Sequence, residues 1–286
     1  MAELAASIIV PVRTHLATLP SLLEGLVTQT LDAARFEVLL VENGEGQVAG
    51  DARRRAGALN ARVLRAPPGA YAARNAGLAA ARAPALVFTD ADCRPHPDWL
   101  VRGLAHLDAH ARAAGRIDLV DEGGGAFAAD IERARFFRQE RYAREGFGAT
   151  ANLFVRREVF DAVGPFDADL RSGGDAAHGA IASRAGFSIV YAHDAVVEHP
   201  TRALPALLRK AARVGFGFGQ GVRSGALPRD LVVARALERA ALVVTASAAP
   251  GTRARTSRLR LAPGLAALAA VTAAGLACGL VLGEGT

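Results

Sequence analysis

The chain has 286 residues, 51% hydrophobic and 22% charged, with a mean hydropathy of +0.19; this excludes a peptide module, a fibrous repeat and a disordered chain. Its 34 basic and 28 acidic side chains leave +6 at pH 7, and Lys210 is the sole lysine. So small an excess, with three Tyr, one Trp and scattered Phe, lacks the interleaved basic and stacking residues of a nucleic-acid surface, and no nucleic-acid partner is expected.

The opening residues Met1 to Ala6 lack the basic start and apolar run of a secretory signal, which points to a chain whose bulk stays in the cytoplasm. Cys93 and Cys278 lie far apart, one beside acids and one in an apolar run, and suggest neither a disulfide framework nor a thiolate metal site. A reducing compartment follows.

From Ser7 onward the sequence alternates short β-branched runs with stretches of helical spacing. Strands are expected at 7–12, 36–41, 61–64 and 85–88, the last stopping at Thr89-Asp90, with helices at 19–27 and 70–82. This βα rhythm implies a parallel sheet covered by helices on both faces, with ligands at the carboxyl ends of its strands. Further on, the pattern predicts a helix over 98–113, a strand over 117–120, a break at Gly123-Gly124-Gly125 and a charged helix over 130–144. A strand over 152–156, a helix over 175–185 and strands over 187–191 and 196–197 complete a mixed second half.

The tail differs. Arg253, Arg255, Arg258 and Arg260 precede Leu261 to Leu282, an uncharged run of 22 residues. About 20 such residues let a helix cross a bilayer, so this is a transmembrane candidate, its basic flank holding that end in the cytoplasm. A buried Ala/Gly helix of a soluble domain competes with it. Ala240 to Ala249 is apolar but too short for a span, and suits an interfacial segment or half of a hairpin.

Thr89-Asp90-Ala91-Asp92 carries the strongest chemical signal. Two carboxylates one residue apart at the ligand edge of a parallel sheet can share a hard divalent cation, which neutralises a diphosphate. Taken alone, the pair is equally a helix cap or a solvated turn. It does not stand alone. The order Ser7-Ile8-Ile9-Val10-Pro11-Val12, Glu37 to Gly44, Ala73-Arg74-Asn75-Ala76-Gly77-Leu78, Phe88 to Pro95, Pro97-Asp98-Trp99-Leu100, Ala151 to Arg157, Val163 to Asp167 and Gly173-Gly174-Asp175 resembles the inverting GT-A glycosyltransferases of family 2, over roughly residues 5–200.

The resemblance implies a GT-A domain over 1–200, an α/β fold with a mostly parallel sheet flanked by helices; the composition of the tail adds a helical membrane-proximal segment over 201–260 and the membrane-helix candidate over 261–282. The resemblance also implies a nucleotide-sugar donor of the UDP or GDP type and Mg²⁺ or Mn²⁺ as cofactor. Asp92 is the implied metal ligand, with Asp90 and His199 as further candidates; His199 equally suits a phosphate contact or a satisfied structural role. Pro11, Glu42, Arg74, Asp90 and Asp92 fall at donor-binding positions. Glu42 stands where the family usually has Asp, and its competing role is a solvated turn residue. Asp175 matches the family's general base, and as plain chemistry it also suits an N-cap for a helix starting at Ala176. Gly174 departs from the family, which usually has Glu there.

Gln220-Gly221-Val222-Arg223-Ser224 is similar to the Gln-x-x-Arg-Trp motif of processive synthases but has Ser224 for the Trp, which favours transfer of a single sugar. Gly215-Phe216-Gly217-Phe218-Gly219 suits a flexible membrane-proximal element. His15, His96, His178 and His193 show no paired spacing and read as ordinary polar residues. The stretches 115–125 and 145–150 read as specificity loops. The first hypothesis is therefore a membrane-anchored, metal-dependent inverting glycosyltransferase, on the cytoplasmic face of the inner or plasma membrane, acting on a lipid-linked or cell-envelope glycan. The others are a noncatalytic membrane-associated binding protein of the same fold, motivated by Gly174 and Glu42, and a nucleotidyltransferase, which lacks its Gly-rich, Lys-containing loop here.

Overall fold

The computed structural model describes residues 3–13, 18–44, 57, 59–227, 229 and 253–281, the last group by backbone alone up to residue 262. His15, Ala240 to Ala249 and Leu282 lie outside the described residues. The elements are β1 (Ala6–Val12), α1 (Leu19–Val27), β2 (Phe36–Glu42), β3 (Ala61–Arg65), α2 (Ala70–Ala80), β4 (Ala85–Thr89), β5 (Arg94–Pro95), α3 (Trp99–His106), β6 (Arg112–Val120), α4 (Ala126–Arg135), α5 (Gln139–Arg144), β7 (Asn152–Arg156), α6 (Arg157–Val163), α7 (Gly174–Arg184), β8 (Ile189–Pro200), α8 (Leu204–Arg223) and α9 (Arg253–Val281). The chain divides into two compact units. The first draws on Met1–Asp118, Phe137–Asp169 and His178–Pro200, the second on Leu119–Phe136, Leu170–Ala177 and Thr201–Thr286.

The first unit is built on a mixed sheet of order β3-β2-β1-β4-β7-β6-β8-β5. Strands β3, β2, β1 and β4 are parallel, with Ile9 opposite Leu39 on one side and Phe88 on the other. β7 joins β4 antiparallel, and β6 joins β7 antiparallel. Both faces are covered, which is why β1, β2 and β4 read as continuous apolar runs rather than alternating ones. On one face Ile8, Val10 and Val12 pack with Leu19, Leu22, Leu23 and Leu26 of α1 and with Trp99. On the other, Gly77 of α2 lies so close that a Cβ there would strike Ile9, and Phe88 meets Phe160 and Phe166 at 5.7 and 5.5 Å.

Six expectations are corrected. The helix over 98–113 ends at His106, and the strand expected from 117 begins at Arg112. Residues 113–115 are Ala-Ala-Gly and carry no β signal; they are strand because Ala113 and Ala114 pair with Phe154 and Leu153, while Gly115 makes room for the Asn152 amide. The expected specificity loop 115–125 is thus strand up to Val120. The charged helix over 130–144 is two helices, broken at Phe137, which holds φ +57°. The separate strands at 187–191 and 196–197 are one twelve-residue strand, β8. The Gly/Phe run 215–219 lies inside α8 rather than in a flexible element.

A buried polar network pins the register. Asn152, fully buried on β7, donates to the carbonyls of Arg116 and Ala195 and accepts from Trp99 Nε1, joining β6, β8 and α3. At the opposite end of the parallel strands Glu37 is fully buried; burial alone would raise its pKa, but bonds from Ser7 Oγ and Arg82 hold it below the ordinary carboxylate value.

Candidate functional site

β4 delivers the acidic pair. Thr89 Oγ1 donates to the Ala151 carbonyl at 3.0 Å, Cys93 N closes the turn on the Asp90 carbonyl at 3.0 Å, and Thr18 Oγ1 reaches the Ala91 carbonyl at 3.2 Å. Ala91 and Cys93 are buried in this turn, whereas Asp90 and Asp92 are only partly buried. Burial, with Asp92 and Asp90 beside it, pushes the Cys93 thiol well above its ordinary pKa, so it stays protonated.

His199 arrives at the end of β8. Ligand atoms of Asp90, Asp92 and His199 all lie within 4.8 Å of one another. His199 is fully buried, its Nδ1 donates to the Pro200 carbonyl at 2.7 Å, and its Nε2 stands 3.5 Å from Asp92 Oδ1. With the proton on Nδ1, Nε2 presents a lone pair to a carboxylate oxygen. Two electron-pair donors face each other, and a positive charge is needed between them: a divalent cation or a proton on Nε2. Two carboxylates and an imidazole oriented by a backbone carbonyl are a donor set that suits Mn²⁺ or Mg²⁺, so the residues fit the cofactor. Phe137 supports the imidazole at 4.5 Å between ring centroids. The left-handed backbone of a non-glycine residue beside a candidate ligand is the kind of strain a functional site retains. Nothing in the sequence marks it, since Phe136-Phe137 interrupts the helix without Gly or Pro.

The other expected donor residues are placed as follows. Arg74, on α2 and buried, meets Asp90 with Nη2 2.7 Å from Oδ1 and lies over the Tyr71 ring. Glu42 closes β2 and is buried, with Arg65 Nε 3.4 Å from its carboxylate, which excludes the solvated-turn role. Asn43, which the sequence reading passed over, is buried beside it, its amide donating to the Gly69 carbonyl at 2.8 Å while Oδ1 has no hydrogen-bond partner among the described residues. Pro11 sits in β1 opposite Val41, two residues past the last β1–β4 pair, where its missing N–H breaks no ladder bond to β4.

Asp175 lies in the second unit, in the first turn of α7, a place that favours negative charge. The helix begins at Gly174, so Asp175 is inside it rather than its N-cap. Gln220, near the end of α8, accepts the Arg171 N–H at 3.2 Å, and Ser224 caps the helix with its N–H on the Gln220 carbonyl. His178 is not an ordinary polar residue. It is buried against Phe160 and Phe166, bonded to the Gly164 carbonyl at 3.1 Å, and burial lowers its pKa to about 4.

The family model described as "Glycosyl transferase family 2" matches residues 7–164. The glycosyltransferase AglE of Haloferax volcanii is 33% identical over 218 residues, 74% of this chain and 72% of that protein. The chain belongs to glycosyl transferase family 2. It is a glycosyltransferase that uses a nucleotide-sugar donor, and its fold is the GT-A fold. Among solved structures, the mannosyltransferase PcManGT from Pyrobaculum calidifontis, in complex with GDP-Man and Mn²⁺, superposes with a TM-score of 0.66 at 19% identity, covering 99% of this chain and 89% of that one. S. aureus TarS 1-349 in complex with UDP-GlcNAc gives 0.56 at 16% identity, covering 96% and 91%. These two similarities concern the fold. The Asp90-Ala91-Asp92 pair falls inside the family match, whereas Asp175 and His199 lie beyond it.

Proposed function

We propose that this glycosyltransferase moves one sugar, with inversion, from a UDP- or GDP-type nucleotide-sugar to a hydroxyl of a lipid-linked or cell-envelope glycan, using Mg²⁺ or Mn²⁺. The carrying observation is the convergence of Asp90, Asp92 and His199 within 4.8 Å. In this reading Asp92 and His199 hold the cation with Asp90 alongside, and Arg74 fixes the Asp90 carboxylate. Bound there, the cation neutralises charge that develops on the diphosphate. Pro11, Glu42 and Asn43, at the carboxyl ends of β1 and β2, line the place for base and ribose, the ligand edge of a parallel sheet. Asp175 is the general base. As the acceptor oxygen bonds to the anomeric carbon, its proton passes to the Asp175 carboxylate, while the bond from that carbon to the diphosphate oxygen breaks and the nucleoside diphosphate leaves with the electron pair. Attack opposite the leaving group inverts the anomeric centre. Ser224, in place of an aromatic residue, supports a single transfer.

PcManGT binds GDP-Man and Mn²⁺ and TarS binds UDP-GlcNAc, which supports both donor classes as trial substrates. The apolar part of α9, Pro263–Val281, is 19 residues long and 28% buried, enough by length and composition to enter a membrane. We place it as the membrane element of an enzyme working at the cytoplasmic face. The test is to incubate the purified chain with a panel of UDP- and GDP-sugars, with Mn²⁺ or with EDTA, and follow nucleoside diphosphate release. Release from one donor only with the metal is expected. Release from that donor undiminished in EDTA overturns the metal-dependent reading.

A further inference from the structure

Within the second unit α9 does not stand apart. It packs along α8, and the two helices run parallel. A Cβ at Gly215 would run into the Thr272 carbonyl, one at Gly219 into the Leu276 carbonyl, and one at Gly279 into the Phe216 carbonyl, so the partners advance together along both chains. The earlier turns close through Leu207 and Ala211 of α8 against Leu265 and Leu268 of α9. Small residues spaced four apart on both helices, Gly215 with Gly219 and Gly275 with Gly279, allow this backbone approach. Gly215, Phe216 and Gly219 of the Gly/Phe run are therefore the docking face for α9, while Gly217 lies against Ser172.

Among the described residues the side of α9 turned from α8 is exposed and apolar along its length, and on the flank nearer Ala212 and Phe216 it shows Ala267, Ala270, Ala274, Cys278 and Val281. Beside it α8 carries charge. Arg209 and Arg213 are exposed, and at 100° per residue they fall on the flank of α8 next to its α9-facing residues, Ala212, Phe216 and Gly219. Arg171 stacks over the Phe216 ring at 5.5 Å and adds a third guanidinium. Next to Arg209, Lys210 is paired with the buried Glu132 of α4 at 3.0 Å, and α4 also meets the start of the apolar run, where Gly264 touches Ile131.

This arrangement conflicts with a single crossing. If Pro263–Val281 spanned the hydrocarbon, the parallel partner would have to go with it, placing Arg209 and Arg213 at the depth of Leu265 to Thr272. The uncharged part of α8, Val214 to Val222, is nine residues, about 14 Å at 1.5 Å per residue, less than half of a hydrocarbon layer of about 30 Å. Exposed arginines at that depth are disfavoured. A pair of helices with one apolar face and a basic flank instead matches a membrane surface, with acyl chains under the apolar face and anionic headgroups at the arginines.

We infer that α8 and α9 form one interfacial membrane-binding element that lies in the plane of an anionic bilayer, with the uncovered face of α9 in the acyl boundary and Arg209, Arg213 and Arg171 on the headgroups. This rests on the reading that α9 is the membrane element and replaces crossing with surface attachment.

The test uses the full chain. Purified protein is floated with vesicles of phosphatidylcholine alone and with an equal mixture of phosphatidylcholine and phosphatidylglycerol, and membranes from expressing cells are washed with alkaline carbonate. Cys278 is exposed and Cys93 buried, so a bimane placed on Cys278 reports depth through quenching by brominated lipids. Expected are binding to the mixed vesicles, release by carbonate, shallow quenching, and at least about tenfold weaker binding to mixed vesicles for the Arg209→Glu, Arg213→Glu double variant, whose two sites are exposed. Carbonate-resistant protein with deep quenching of the bimane overturns surface attachment while keeping the membrane reading. Equal binding to both vesicles overturns the role of the arginines. Absence of the full chain from both vesicles and cell membranes overturns the inference and the membrane reading together.

Discussion

The guanidinium of Arg74 meets the carboxylate of Asp90 at 2.7 Å, while Asp92, two residues on, faces His199 at 3.5 Å. The two acids of the motif therefore have different holders. Asp90 is fixed from α2 by the guanidinium of Arg74, and Asp92 faces the imidazole of His199.

Replacing Arg74 by Met should separate these roles. The pair is buried on the arginine side but one-third exposed at Asp90, so its loss should lower stability by about 1–3 kcal/mol, less than a fully buried pair. Donor affinity should fall about tenfold because Asp90 loses its orientation. Thermal unfolding and calorimetric titration with the donor give both numbers; unchanged affinity would remove Arg74 from the donor site.

Asp92→Asn should keep the fold, since the side chain lies on a turn at the sheet edge, and should abolish Mn²⁺-dependent donor binding because a neutral amide is a far poorer ligand for a hard cation. Mn²⁺ binding, followed directly by electron paramagnetic resonance, should weaken by at least about tenfold. Normal Mn²⁺ affinity in the variant would defeat the assignment.

Asp175→Asn should leave donor affinity near its starting value and reduce transfer by about 10²–10⁴-fold, the usual worth of a positioned base. Single-turnover transfer and donor titration, run side by side, decide. Collapse of donor affinity with transfer from bound donor preserved would move Asp175 to the donor site.

His178 makes stability fall with acid. Its ordinary value of 6.5 is lowered to about 4 by burial among Phe160 and Phe166, so the folded state binds fewer protons than the unfolded chain in that window. The stability that the neutral imidazole contributes is fully present above pH 6.5 and is lost as pH falls toward 4, at up to about 1.4 kcal/mol per unit. Urea unfolding at pH 7 and pH 5 should differ by about 2 kcal/mol from this group, and His178→Leu should remove that share. An unchanged difference between wild type and variant would show that other groups carry the acid sensitivity.

Much of the first unit was legible because its signals are local. β-branched runs and leucines three and four apart report which face is buried, and a strand ending at Thr89-Asp90 already puts Asp90 and Asp92 at the ligand edge of the sheet. The expected βα rhythm matches β1 to β4 closely for that reason. What escaped are states imposed by a distant partner. Ala113-Ala114-Gly115 is strand only because Phe154, Leu153 and Asn152 lie across from it, and the helix break at Phe137 exists where its ring meets His199. Neither pairing has a spacing in the sequence that could announce it. The tail shows the same division. Leu261 to Leu282 is uniformly apolar, which by itself determined a long helix suited to a nonaqueous surrounding. Which of its sides is covered was decided by the docking of Gly215 and Gly219 of α8 against it, because hydropathy records how apolar a helix is and not what lies beside it.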